Sequence, residues 1–189
     1  SETVNDFDSS DITFSGGQIS GFTNNDGSSY TAFFTSSFDG LKTIKVNSNK
    51  FSDNVGNLNI QSNEFVFDYD GTSPTMSILS DHVNNGGQTN SNELFLTFNF
   101  NEDVVGFDFD DIEAVNGTLS NFDGADSTYT AKFSPGSDGE CILRVVSGKF
   151  ADSAGNLNQD VITFSFDYDN TRPTISISST TLSNGETTN

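Results

Sequence analysis

The chain has no Trp, one Cys, one Met, one His and three Pro among its 189 residues. A single thiol, Cys141, cannot close an internal disulfide, so no cystine framework holds the fold. Its counterpart in the internal repeat described below is Lys42, and Cys141 is therefore read as a small strand residue. Without Trp, and with Tyr30, Tyr69, Tyr129 and Tyr168 all reading as inward-facing, there is no aromatic platform for a sugar ring. The one His, His82, lies in a Gly/Asn-rich stretch with no Ser or Cys nucleophile motif to serve, which argues against hydrolytic catalysis. Basic residues are scarce as well. Seven Lys and Arg face 27 acids, and the net charge of -20 repels both nucleic acid and anionic membrane. No apolar run is long enough to span a bilayer, and there is neither a secretory leader pattern nor a lipidation motif, although an internal piece of a longer chain would also lack these.

What the chain does contain is Phe, acid and repetition. Nineteen Phe supply a core from a few large rings, and among the acids 20 Asp outnumber 7 Glu. Asp favours turns and hard-cation sites, whereas Glu favours helices. The stretch Lys149-Phe150-Ala151-Asp152-Ser153-Ala154-Gly155-Asn156-Leu157-Asn158 repeats Lys50-Phe51-Ser52-Asp53-Asn54-Val55-Gly56-Asn57-Leu58-Asn59. Each is followed by an alternating segment and a Pro-Thr pair, at Pro74-Thr75 and Pro173-Thr174. The offset is 99 from Tyr30 onward and 100 before it, because the loop around Asn24 to Gly27 carries one extra residue. This is a tandem repeat.

Inside each copy the apolar pattern has period two. Leu94, Leu96, Phe98 and Phe100 share one face, and Tyr129, Ala131 and Phe133, then Ile162, Phe164, Phe166 and Tyr168, repeat the pattern. Turn residues interrupt the chain every 8 to 12 residues, and no apolar stripe keeps helical spacing. The fold class predicted is all-β, with tandem immunoglobulin-like antiparallel β-sandwich modules. Strands are expected at 75–80 (A), 93–100 (B), 112–115 (C), 118–122, 128–134 (E), 141–147 (F) and 161–169 (G). Residues 1–72 form a module without strands A and B, 73–171 a complete module, and 172–189 the first strand of a third, at 174–179. The residues Ser1-Glu2-Thr3 align inside a module, so the chain reads as a segment of a longer array. A half-built sandwich exposes Phe7, Phe34 and Phe65. Head-to-tail donation of residues 173–189 to a neighbouring subunit is the alternative way to cover them.

Two loops carry the candidate chemistry. In a seven-stranded sandwich the B-C and F-G loops share the pole where the chain comes in, and here they hold Asn101-Glu102-Asp103 and Asp152 to Asn156. The preceding module ends at Asp68-Tyr69-Asp70, with Asp68 and Asp70 in the outward phase, roughly 7 Å apart by strand rise. Ca²⁺ takes six to eight hard oxygens at about 2.3–2.6 Å. Asp68, Asp70, Glu102, Asp103, Asp152 and Asn156 are therefore the candidate metal ligands, with Gly155 turning the loop through a positive φ. The competing reading is that Asp152 and Asn156 cap an ordinary turn. Asp108, Asp110 and Asp111 pose the same choice, and Asp111, like Asp11, is expected to bond backbone. Glu102 and Asp103 are adjacent on a loop and make no glycosidase cleft. Asn116-Gly117-Thr118 is a glycosylation sequon, relevant only in a host that uses it.

The ordered set Glu102-Asp103-Val104 with Gly106-Phe107, Asp111-Ile112, residues 116–122, Tyr129-Thr130-Ala131, Asp138-Gly139, Asp152 with Ala154-Gly155-Asn156, and Arg172-Pro173-Thr174 resembles the bacterial Ig-like repeats of large secreted and surface adhesin-type proteins. The resemblance implies a non-enzymatic, extracellular or cell-surface stalk, spacer or filament, with calcium held by aspartates at module junctions. It implies neighbouring repeats or subunits as partners. The alternative is that exposed loops, residues 81–92 or 20–29, recognise a surface glycan or protein directly.

Overall fold

A computed structural model describes residues 2–4, 6–187 and 189, so Ser1, at the start of the incomplete module, lies outside the described residues. The chain divides into two compact units, residues 1–73 with 154–156, and residues 74–153 with 157–189.

The second unit is a two-sheet β-sandwich. It contains β6 (Met76–Ser80), β7 (Gln88–Thr89), β8 (Leu94–Phe100), β9 (Glu113–Val115), β10 (Gly117–Ala125), β11 (Thr128–Pro135), β12 (Gly139–Val145) and β13 (Ile162–Tyr168). One sheet has the order β10-β11-β8-β6 and the other β7-β13-β12-β9. All ladders are antiparallel except β7 on β13, a parallel pair of two residues. The strands expected from the sequence stand within a few residues of their predicted ends, because the period-two pattern fixes which face is buried.

The central strand is β8, paired to β6 on one side and β11 on the other. Its inward residues Leu94, Leu96 and Phe98 are 0–1% exposed and Phe100 is 8% exposed, while Phe95 between them is 57% exposed. Full burial of each such side chain is worth roughly 1.5–3 kcal/mol. Across the sandwich Phe133 of β11 meets Phe166 of β13 edge-on, with centroids 5.8 Å apart. At one end a nest of rings forms, Phe107, Phe122, Tyr129 and Phe150, and Phe100 sits in it, 5.2 Å from Phe107 and 4.9 Å from Phe150. Gly117 is required by this packing: a Cβ there would lie 2.2 Å from the Phe133 ring.

The first unit repeats part of this plan. It has β1 (Ile12–Ser15), β2 (Gln18–Asn24), β3 (Tyr30–Thr35), β4 (Gly40–Val46) and β5 (Phe65–Tyr69). These form a three-stranded sheet β1-β4-β5 and a two-stranded sheet β2-β3. Strands equivalent to β6 and β8 are missing from it among the described residues. The consequence is visible in burial: every buried hydrophobic side chain described belongs to the second unit. Phe65 is 58% exposed, as expected, whereas Phe7 and Phe34 keep partial cover from neighbouring rings. Lys42, at the position of the buried Cys141, is 1% exposed; its Nζ donates to the Asp39 carbonyl at 3.3 Å and lies 4.3 Å from the Phe38 ring centre. A long aliphatic stem thus fills a core position while the charged head finds an oxygen and a ring face.

The expected third strand A, residues 174–179, is not a strand. Ile175 and Ile177 are 91% and 94% exposed. In the second unit strand A is held by β8, and no described strand offers the tail that ladder.

Paired three-residue 3-10 turns precede strand C in both copies, Ser9–Asp11 and Phe109–Asp111. Asp108 accepts from the Asp110 N–H at 2.9 Å, and the Asp108 N–H donates back to Asp111 at 2.9 Å, so the backbone-bonding role expected for Asp111 and Asp11 is what both copies show. A second repeated acid has a role that the sequence pattern left without a cause. Asp138, in the turn before β12, accepts from the Asn170 N–H at 2.8 Å and from the Thr171 hydroxyl, clasping the segment that leaves β13. Asp39 makes the same clasp with Gly71 and Thr72.

Replacement of Phe98 by Ala is expected to destabilise the second unit by about 3–5 kcal/mol in urea unfolding, since it removes a fully buried ring from the central strand. The Thr171 hydroxyl, then the Asn170 N–H, hold the Asp138 carboxyl below its ordinary range. A lowered folded-state value means stability that is present above the unfolded value and lost as pH falls through the folded one. Urea midpoints measured from about pH 5 down to 3 should therefore decline less steeply in Asp138→Asn than in the unaltered chain.

Candidate metal centre

The B-C and F-G loops of the second unit are tied by a two-way backbone bridge. The Val105 N–H donates to the Ala151 oxygen at 2.8 Å, and the Ala151 N–H returns to the Val105 oxygen at 3.1 Å. Glu102 and Asp152 flank that bridge, and a carboxylate oxygen of each lies within 4.8 Å of the other. Asp152 is 1% exposed and Glu102 is half-buried. Asp103 is on the same loop as Glu102 and is exposed.

The shape of the F-G loop has an identifiable cause. Asn158, 2% exposed, accepts from the Lys149 N–H at 2.7 Å and the Phe150 N–H at 3.2 Å, and donates to the Val146 and Asp160 carbonyls, each at 3.1 Å. One buried amide thus satisfies four backbone groups across the loop's neck. Asn59 makes three equivalent bonds in the first copy, with Lys50, Phe51 and Asn47, and a fourth to the Ile60 carbonyl. The signal for this residue was present as the second Asn of the repeated Asn-Leu-Asn. At the tip, Gly155 has φ +94 and Gly56 has φ +90, the left-handed turn expected there.

In the first copy the loop is organised by Asp53 itself. Its carboxylate accepts from the Val55 and Asn57 N–H groups, both at 2.9 Å, and from the Asn57 side-chain amide at 2.8 Å. The Asn57 bonds, backbone first, hold Asp53 below the ordinary carboxylate range. Turn capping therefore accounts for this copy. The remaining predicted ligands belong to the first unit. Asp68 is exposed near the end of β5, and Asp70 follows that strand, accepting from the Thr72 N–H at 3.0 Å. The first unit also takes in residues 154–156, and the Asn156 amide donates to the Asp70 carbonyl at 3.1 Å.

The loops considered for ligand recognition are more constrained than the sequence suggested. Residues 81–92 contain β7, and the Gly86 N–H donates to the Ser165 oxygen while the Ser165 N–H donates to the Asn85 side chain, pinning the stretch to β13. Half of residues 20–29 is strand β2. Asn116, of the sequon, has φ +55 and spends its amide on the Ser137 and Glu140 carbonyls at 2.8 and 3.2 Å, leaving the nitrogen committed to a turn. Cys141 is buried and held by the Asn116 carbonyl at 3.2 Å, and burial pushes its thiol upward, as suits an inert core residue. No described helix is long and apolar enough to cross a membrane.

The family described as Bacterial Ig-like domain matches the chain twice in succession, over residues 1–69 and 70–168. Comparison with curated proteins and with solved structures finds no match. The matched stretches take in the strands, the paired 3-10 turns and the F-G loops of both copies. The chain belongs to the bacterial Ig-like domain family, whose members are generally structural or adhesive repeats, typically of surface proteins.

Proposed function

We propose that the chain is a non-enzymatic, extracellular segment of a bacterial surface protein, serving as a spacer or adhesive stalk, and that it binds calcium at the pole where the chain comes into the second module. The observation that carries the calcium reading is the pair Glu102 and Asp152: two carboxylates from separate loops, locked by the Val105–Ala151 bridge, with oxygens within 4.8 Å and Asp152 buried. Like charges at such a separation repel, and a divalent cation between them turns the repulsion into attraction. The donor set is all hard oxygen, which fits Ca²⁺ and not a thiolate- or imidazole-selective metal. The sequence pattern adds Asp68, Asp70, Asp103 and Asn156 to the proposal as further oxygen donors.

The role of the ion in this reading is mechanical. It removes a repulsion between the two loops and so stiffens that pole of the second module. Neighbouring repeats and neighbouring subunits are the proposed partners.

Calorimetric titration of Ca²⁺ into the full chain should give a saturable heat, and the thermal midpoint should rise with Ca²⁺ and return on chelation. Asp152→Asn and Glu102→Gln should each weaken binding about tenfold or more, with circular dichroism unchanged. A negligible heat from the unaltered chain would sink the calcium reading. Adhesion to a surface glycan or protein that is indifferent to chelation would separate the adhesive role from the metal.

A further inference from the structure

The second unit has four edge strands, β10 and β6 in one sheet and β7 and β9 in the other. An edge offers a row of unpaired N–H and C=O groups that another chain can take up, and sheets usually blunt it with charge, Pro, a bulge or shortness. Three of the four are blunted in this way. Strand β10 is broken by a bulge between Ser120 and Asp123, where Asn121 has φ +51 and Asp123 is exposed. Strand β9 is three residues long and begins at Glu113, and β7 is two residues long.

Strand β6 has none of these devices. Met76-Ser77-Ile78-Leu79-Ser80 holds no charge, Gly or Pro, and it pairs in unbroken register with β8, from Met76 opposite Phe100 to Ser80 opposite Leu96. In such a pair, alternate residues bond to the partner strand. Thr75 and Asp81 bracket β6 and both bond toward β8: the Asn101 N–H donates to the Thr75 oxygen at 3.2 Å, and the Asp81 N–H donates to the Phe95 oxygen at 3.3 Å. Ser77 and Leu79 share that phase. The N–H and C=O groups of Met76, Ile78 and Ser80 therefore point the other way, along the side of β6 that carries no ladder. On the outer face of the sheet Leu79 is 54% exposed.

We propose that β6 is a docking edge for the β6 of a second copy of this chain, the two strands running antiparallel about a two-fold axis at Ile78. The register is self-complementary. Ile78 stands opposite Ile78 of the second copy and Met76 opposite its Ser80, so the outward groups of all three residues meet as hydrogen-bonded pairs. Between them Leu79 stands opposite Ser77, and the two Leu79 side chains lie diagonally across the join on the outer face, near enough to touch. The charge pattern suits this occupant. A chain of net charge -20 repels its own copy, yet this register sets no acid against an acid, because Asp81 falls opposite Thr75. The join also uses the unblunted edge of each second unit, so it closes as a pair and does not run on into a fibre. This inference rests on the subunit partnership of the proposed function and not on its calcium.

The test is sedimentation equilibrium of the full chain in chelator, up to about 1 mM chain and at about 0.1 and about 1 M NaCl, with amide hydrogen exchange read at low and high chain concentration. A reversible monomer–dimer equilibrium is expected, tighter at the higher salt as the Debye length shrinks from about 10 to about 3 Å. The amides of Met76, Ile78 and Ser80 should slow about tenfold or more in the dimer, while those of Ser77 and Leu79, already bonded to β8, change less. Leu79→Lys places two ammonium groups across the join, and Ser80→Pro removes an outward N–H without touching the β8 ladder. Each should weaken the dimer about tenfold or more with circular dichroism unchanged. The added Lys also lowers the net negative charge, so a general electrostatic effect would strengthen association instead. A chain that stays monomeric at the higher salt overturns the proposal. A dimer whose slowed amides lie outside β6, or one that neither substitution weakens, overturns it also. With chelator present throughout, the calcium titration stands or falls separately.

Discussion

Everything in the complete module depends on one strand being sealed between neighbours on both sides and a second sheet above. Strand β8 places Leu94, Leu96, Phe98 and Phe100 on a single face, and the rings and aliphatics of both sheets close over them into one core. At roughly 25 cal/mol per Å² of apolar surface, such a strand is the largest contribution available to a sandwich whose hydrophobic content is only 32%. The first unit is the internal control. It has the same rings, the same capped turns and the same Asn-braced loop, and without that strand it buries no hydrophobic side chain among those described.

The loops are stabilised by a different kind of interaction. Asn158 and Asn59 hold the F-G loops through four backbone bonds each, Asp108 and Asp8 cap the turns before strand C, and Asp138 and Asp39 clasp the departing chain. The caps are satisfied within three residues, the Asn braces within about a dozen and the Asp clasps across some thirty, and all of them persist in the copy whose core is open. That separation explains why so acidic a chain still has ordered loops: several of the Asp residues are hydrogen-bond acceptors for backbone N–H groups. Asp152 has a carboxylate oxygen within 4.8 Å of one of Glu102, and its counterpart Asp53 lines one cleft with Glu2, the counterpart of Glu102.

The strands were legible because alternation over five to seven residues admits one burial face, and the repeat doubled that signal. The sandwich followed from it. Strand β7 was not legible: two residues, Gln88 and Thr89, carry no pattern, and their pairing is created by the neighbouring glycines and the edge of β13. Strand A of the tail was predicted from its place in the repeat and is absent, because a repeated sequence cannot supply a ladder partner. Of the site, the meeting of Glu102 and Asp152 was readable from loop order in the sandwich, while the roles of Asp138 and Asn158 were visible only as repeats without a stated cause. The burial of Lys42 could not be read at all, since Lys is rarely buried and its stem is accommodated by neighbours far away in sequence, such as Gly16.

The sealed central strand, and not the loops or rings, carries the stability of a module. Urea denaturation of the full chain followed residue by residue in NMR spectra addresses it. Two transitions are expected, with β2 and β3 losing native signals at least about 1 M urea below β8 and β11. One transition, with a common midpoint for strands of both units, would contradict it.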